Sequence, residues 1–298
     1  MAERQQRRWG SAVVAGLMAG VCAAGLCAGA AGCSADGGDG EDDRAADRAA
    51  RMSADPVRAL RQAADALVAA GSSKARTSME MATGGTRVTI RGEGVYDYRR
   101  RLGRLEVVLP QDPAGSSGRR PITELLAPGA LFMKNRGAGV PADKWVRVDT
   151  ATLHDGNLVT GGATDPYAAA EVLRGARDAT YVGRTRLAGV EVRHYRGTAD
   201  LAAAAAVASG EGRNALGAAA KGFATARVPF DVYLDEQGRI RKVRHRFGFA
   251  NGRQAGARGA SGAVVAVAST TWLYDFGVPV DVRLPAAGDI YAGRIAEE

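Results

Sequence analysis

Cysteine is missing from nearly all of this chain. Cys22, Cys27 and Cys33 are the only three, and none follows position 33. A body folded from the remainder has no disulfide and no cysteine-ligated metal, so its stability must come from an apolar core. Histidine is equally sparse. His154, His194 and His245 stand far apart, without HExxH or any paired spacing, and each reads as a surface or strand-end residue rather than a ligand.

Catalytic motifs are missing as well. Gly115-Ser116-Ser117-Gly118 and Gly259-Ala260-Ser261-Gly262 lack the spacing of a nucleophile elbow, and no lysine completes an SxxK. Gly92-Glu93-Gly94 lacks the third glycine of a dinucleotide loop. Asp231, Asp235 and Glu236 lie close in sequence, which a turn explains. Arg99-Arg100-Arg101 and the basic run from Arg239 to Arg246 lack interleaved aromatics, which argues against nucleic acid. The expectation is a protein that is not an enzyme and needs no cofactor.

What the chain does have begins at its N-terminus. Arg4, Arg7 and Arg8 precede an uncharged stretch from Ser11 to Gly32, and Ala30-Ala31-Gly32-Cys33 closes it with small residues before a cysteine. That order is a secretory signal ending at a lipid-modified cysteine: residues 1–32 are removed and Cys33 carries the acyl chains, palmitate among them. A retained membrane helix and an ordinary secretory signal are the alternatives. The stretch is long enough to span, but it is rich in Gly and Ala and is followed by acidic residues, a poor stop-transfer pattern. Ala30 departs from the bacterial lipobox, where Leu is usual. The expected location is the extracytoplasmic face of the cell membrane.

Residues 33–55 read as a flexible acidic tether. Between 34 and 55 lie seven acidic and three basic residues and almost no large apolar side chains, too little to offset chain entropy. With the signal's three Arg and one Glu also set aside, the net charge of +8 becomes 34 basic and 24 acidic residues in the body, a net +10. Such a body feels an anionic membrane over about 8 Å at physiological salt; Arg-rich solvent faces are the plainer reading.

The body, 56–298, is long enough for one domain with a sizeable core. Asp55-Pro56 is a cap-plus-proline start, and Val57, Leu60, Ala64, Leu67 and Val68 recur at helical spacing up to Gly71. From Thr86 to Tyr98 the alternation is that of a strand with one dry face, bent near Gly92 and Gly94. Leu102–Leu109 pairs back with Leu105, Val107 and Leu109 inward. Strands follow at 130–133 and 144–149; 151–163 has no period and reads as loop; Asp165-Pro166 opens a second helix to Gly175. A hairpin covers 179–196, helices 200–208 and 215–223, and a hairpin 228–249 turns at Asp235–Gly238. A strand covers 263–276, and 280–284 suits a closing edge strand. The fold class is α+β: a strongly curved antiparallel sheet, a half-barrel, wrapped around covering helices.

The segment order, with VTIRGEGVYDY, KWVRVD, DPYAAAEVL, GVEVRHYRGTADL, VPFDVYLDEQGRIRKV and WLYDFGVPVDVRLP after an N-terminal helix, resembles actinobacterial lipoproteins of the LolA/LppX/LprG-like superfamily over roughly 56–285. The likeness lies in segment order, and the Ala-rich insert at 199–224 departs from it. It implies a half-barrel whose concave side, lidded by helices, holds acyl chains, with no cofactor. Val88, Ile90, Tyr96, Val107, Leu109, Phe230 and Val232 are then candidates for the cavity wall, against a reading as ordinary core; Trp145 and Trp272 read as core indoles rather than groove residues. The expected function is a monomeric, membrane-anchored binder or carrier of a lipid or other hydrophobic ligand. The alternative is an envelope sensor using the same half-barrel to bind a protein partner.

Overall fold

The computed structural model describes residues 55–83, 86–110, 120–137, 139–208, 210–250 and 264–292. Cys33, the signal and the tether up to residue 54 lie outside the described residues.

Asp55 caps the first helix through its carboxylate, which accepts from the Arg58 N–H. The helix is in two pieces, α1 (Pro56–Arg61) and α2 (Ala63–Ala70), and ends at Gly71 with φ +84°. Leu60, Ala63, Ala64 and Leu67 are buried. On the polar side, Arg61 donates to the Ala176 carbonyl at 2.7 Å and Asp65 pairs with Arg174 at 2.6 Å.

Eleven strands follow: β1 (Ser72–Thr83), β2 (Thr86–Asp97), β3 (Leu102–Val108), β4 (Ile122–Ala127), β5 (Ala130–Lys134), β6 (Trp145–Asp149), β7 (Ala176–Leu187), β8 (Val190–Asp200), β9 (Arg227–Leu234), β10 (Ile240–Ala250) and β11 (Val264–Tyr274). They form one antiparallel sheet in the order β6-β5-β4-β3-β2-β1-β11-β10-β9-β8-β7, open at both edges. Every pair within each arm is a neighbour in sequence, and the two arms meet where β1 pairs with β11. An open twisted sheet of this many strands curls, and a curled sheet needs filling on its inner side. Helices α3 (Pro166–Val172), α4 (Leu201–Val207) and α5 (Gly212–Gly222) come from the two insertions between β6 and β9. The half-barrel with covering helices is the α+β fold expected from the sequence.

Two strands depart from the sequence reading. The central strand β1 has Ser73, Ala75, Thr77 and Met79 buried and Lys74, Arg76 and Glu80 on the other face. Apart from Met79 these inward residues are small or polar, so the alternation carries little hydrophobic signal. In β4, Ile122, Leu125 and Leu126 are all buried, so the strand has two dry faces and no alternation. The expected edge strand at 280–284 does not form. Val282 is instead buried against Leu125, Ala130 and Phe132, so this segment gains its burial by packing on a face rather than pairing at an edge. β2 also runs through Gly92 and Gly94 without a register shift. Gly92 has another use: a Cβ there would stand 2.6 Å from Thr77 Oγ1 and 3.3 Å from Ala163 Cβ, so glycine lets segment 155–164 reach the sheet.

Candidate functional site

The stretch with no periodicity, 151–163, fills the concave side of the sheet. Asp155, Gly156, Asn157, Leu158 and Val159 are buried, as are Gly161, Gly162, Ala163 and Thr164. Irregular backbone can be buried only if its polar groups find partners locally, and here one carboxylate does most of this. Asp155 accepts from the N–H groups of Asn157 (3.1 Å), Val159 (2.7 Å) and Thr160 (2.6 Å) and from the Thr160 hydroxyl (3.0 Å). Asn157 Oδ1 accepts from the Gly161 N–H at 3.0 Å. The Thr164 hydroxyl donates to the Leu158 carbonyl at 2.8 Å and pairs with the Ser269 hydroxyl of β11. Arg136, just after β5, donates to the carbonyls of Gly161 and Thr160 at 3.1 and 3.3 Å. The segment is a compact plug rather than a loose connection. Helix α5 holds it from outside: Gly156 has φ +57°, and a Cβ there would meet the Ala215 carbonyl oxygen at 2.1 Å.

The plug leaves a cleft of about 440 Å³ at one end of the half-barrel. Met81 of β1, Ile90 of β2, Leu109, Val159 of the plug and Phe249 of β10 supply its apolar lining; Arg136 and His154 supply polar groups. A second, tighter pocket of about 70 Å³ lies under α5, bounded by Tyr96, Asp165, Tyr167, Glu171 and Leu216. Tyr96 donates to Asp165 at 3.3 Å there, and burial raises the Asp165 carboxyl even though the Tyr167 and Ala168 N–H groups favour its charged form.

The seven candidate wall residues divide among these places. Ile90 and Leu109 line the larger cleft, and Tyr96 lines the smaller pocket. Val107 is fully buried within van der Waals reach of the plug at Gly162. Phe230 and Val232 are fully buried in the core, and Val88 packs partly buried against it beside Met81. The structure brings Ile90 and Leu109 together with Met81, Val159, Phe249, Arg136 and His154, residues from distant segments that no spacing joins.

Among the described residues, two titratable groups sit on the inner wall without a side-chain hydrogen-bond partner. Glu124 of β4, opposite Leu105 and Met133, is fully buried; neither carboxylate oxygen has a hydrogen bond. Burial pushes it up to about 8, with Arg136 opposing. His245 of β10 is 1% exposed, its Nε2 has no hydrogen bond, and burial pushes it down to about 3. The expectation of a surface or strand-end histidine is wrong there: His245 shares the inward parity of Val243 and Phe247, which its basic sequence neighbours disguise. Two further expectations change. Trp145 and Trp272 are half-buried on the outer face, over Lys134 and Lys242, rather than in the core. The basic run 239–246 does meet aromatics, supplied by adjacent strands: Tyr233 from β9 and Trp272 from β11. Among the described residues no group of three or more His, Cys, Asp or Glu is placed to hold a metal, and no helix is long and apolar enough to cross a membrane.

No family model and no curated protein matches this chain. Solved structures similar to it include the Mycobacterium tuberculosis lipoprotein LppX, with a TM-score of 0.43 and 10% identity, covering 76% of this chain and 97% of that one. LprF from Mycobacterium bovis has a TM-score of 0.37 and 13% identity, covering 78% and 97%. A LolA superfamily protein from Nitrosomonas europaea has a TM-score of 0.32 and 10% identity, covering 74% and 93%.

Proposed function

We propose that this protein is an extracytoplasmic lipoprotein, anchored through acylated Cys33, that binds an amphiphilic or wholly apolar ligand and performs no chemistry on it. The cleft beside the plug carries this reading. Its volume of about 440 Å³ lies within the roughly 300–1,000 Å³ of small-molecule sites. Met81, Ile90, Leu109, Val159 and Phe249 give it an apolar lining, and each buried methylene of a ligand contributes about 0.8 kcal/mol, so a hydrocarbon tail needs no elaborate polar site. Arg136 and His154 offer a place for a polar head. A binding role is favoured over catalysis because the Asp155 oxygens are taken up in holding the plug together, Glu124 and His245 are buried away from the cleft lining, and His154, which does line it, has no side-chain hydrogen-bond partner among the described residues.

Uptake of a fluorescent long-chain fatty acid tests the binding. The chain should take up the probe, and Val159→Trp, which fills the cleft from the plug side, should abolish uptake while leaving the thermal transition in place. Uptake unchanged in the variant would remove the cleft from the proposal. The anchor is tested separately by metabolic labelling with an alkynyl palmitate: label should be present in the native chain and absent from Cys33→Ser.

A further inference from the structure

The convex face carries a second site, unrelated to the cleft. At the end of the sheet where β7 turns into β8 and β9 into β10, a groove of about 850 Å³ opens between the hairpin turn at Leu187–Val190 and the end of β11. Its aromatic residues come from alternate positions, Trp272, Tyr274 and Phe276, and its cations are Arg76, Arg239 and Arg241.

The cations are held in fixed orientations. The register between β9 and β10 shifts between Ile240 and Lys242, leaving Arg241 as the extra residue of a bulge, and bulges re-aim side chains. Arg241 Nε donates to Asp235 at 3.1 Å and Arg239 Nε to the same carboxylate oxygen at 2.8 Å. Asp235 is 1% exposed and also takes the N–H groups of Gln237 and Arg239, so it anchors the turn and both guanidinium groups. Both groups lie over the Phe276 ring, at 4.5 and 4.9 Å from its centre. Arg239 Nη2 donates to Gln237. The remaining terminal nitrogens, Arg239 Nη1 and both of Arg241, have no hydrogen-bond partner among the described residues, yet are not among the buried unsatisfied atoms, so they are open to solvent. Two guanidinium groups fixed at Nε and on one face, with free Nη donors, form a preorganised fork for an oxyanion. Arg76 lies over Tyr274 and Lys242 over Trp272 at 4.2 Å; Lys242 has no carboxylate partner among the described residues. Around the groove, Lys74, Arg76, Arg239, Arg241 and Lys242 outnumber Asp235, Asp275 and Glu93.

We infer that this groove binds an acidic oligosaccharide, with its carboxylate groups on the Arg239–Arg241 fork and on Arg76, and its rings along the aliphatic wall of Leu187, Ala188 and Val190. The site is a groove, which a chain of rings fills and a planar bilayer does not. Cations already cover the Trp272 and Phe276 rings, which leaves no open stacking platform of the kind that single-stranded nucleic acid uses.

Titration of the purified full chain with trigalacturonate tests this, with neutral maltotriose, inorganic phosphate and phosphatidylglycerol vesicles as comparison probes. Trigalacturonate should bind and maltotriose should not. Affinity should fall about tenfold in Arg241→Gln, the loss of one charge-assisted contact, and should weaken with added salt. Arg76→Gln, on the exposed face, should weaken binding by a smaller factor and decides the matter if Arg241→Gln does not fold. Four results would overturn the inference: equal binding of maltotriose, unchanged affinity in the folded variants, phosphate alone binding as tightly as the trimer, or Arg241-dependent binding to vesicles with none to the trimer.

Discussion

The inner faces of the two halves of the sheet are covered by different material. Over β7–β11 the cover is helical: α1 lies on β7, α3 on β10 and β11, and α4 on β8. Leu173, Leu201 and Ala204 are fully buried there by ordinary side-chain packing. Over β2–β5 the cover is the plug, whose Gly161, Gly162 and Ala163 approach Glu124, Leu131, Ile90, Val107 and Gly92 with almost no side chain of their own. A helix satisfies its backbone internally and presents bulky residues, so its half can be packed solid. Irregular glycine-rich backbone fits closely in some places and falls short in others. The unpaired Glu124 is on the plug half, and the 440 Å³ cleft opens against the plug, with Phe249 of β10 closing its far side, so the location of the hollow follows from the kind of cover.

The largest way to break this comparison is to remove the plug's organiser. Asp155→Ala leaves the buried N–H groups of Asn157 and Val159 without their acceptor, at about 1–3 kcal/mol each, and frees the Thr160 N–H as well, so it should cost about 4 kcal/mol in urea unfolding. A cost near zero would mean that the plug is not held together as described. On the helical half, Leu173→Ala should cost about 3 kcal/mol through the cavity it leaves, with fatty-acid uptake unchanged, because Leu173 touches no part of the cleft.

The same contrast shows what the sequence could reveal. Alternation, caps and turn residues announced β2, β3, β6 to β11 and every helix, and β5 was announced by its unbroken apolar run Ala130–Met133, which is buried on both faces. β1 and β4 were hidden for opposite reasons, Ser73, Ala75 and Thr77 giving too little hydrophobic signal inward, and Leu125 giving burial on both faces. The site was less legible than the fold. Ile90 and Leu109 were reachable from strand parity, but Met81, Val159, Phe249 and Arg136 join them only through the sheet's curvature and the plug's path. The only trace of the plug in the sequence is the cluster Asp155-Gly156-Asn157 with Gly161-Gly162, which reads equally well as a surface turn.

Smaller effects sharpen the comparison through pH, since each half holds one partnerless titratable group. Glu124 keeps its proton in the folded state up to about 8, whereas the unfolded carboxyl loses it near 4.3. Between those values the folded state binds the extra proton, so stability falls as pH rises, by at most about 1.4 kcal/mol per unit. His245 behaves in the opposite sense. It stays neutral in the folded state down to about 3, while the unfolded imidazole takes up a proton below about 6.5, so stability falls as pH drops through that window. Thermal transitions should therefore be highest between about pH 4.5 and 6.5, where the two slopes oppose. Glu124→Gln should flatten only the alkaline side and His245→Phe only the acid side; a variant that flattened both, or neither, would contradict the separate assignment.

The most direct measurement extracts the protein, purified from the cells that make it, with organic solvent and identifies what comes off by mass spectrometry. The cleft reading predicts a stoichiometric lipid or other apolar molecule from the native chain, and none from Val159→Trp at equal yield of folded protein. Extracts that are empty in both, or identical in both, would contradict it.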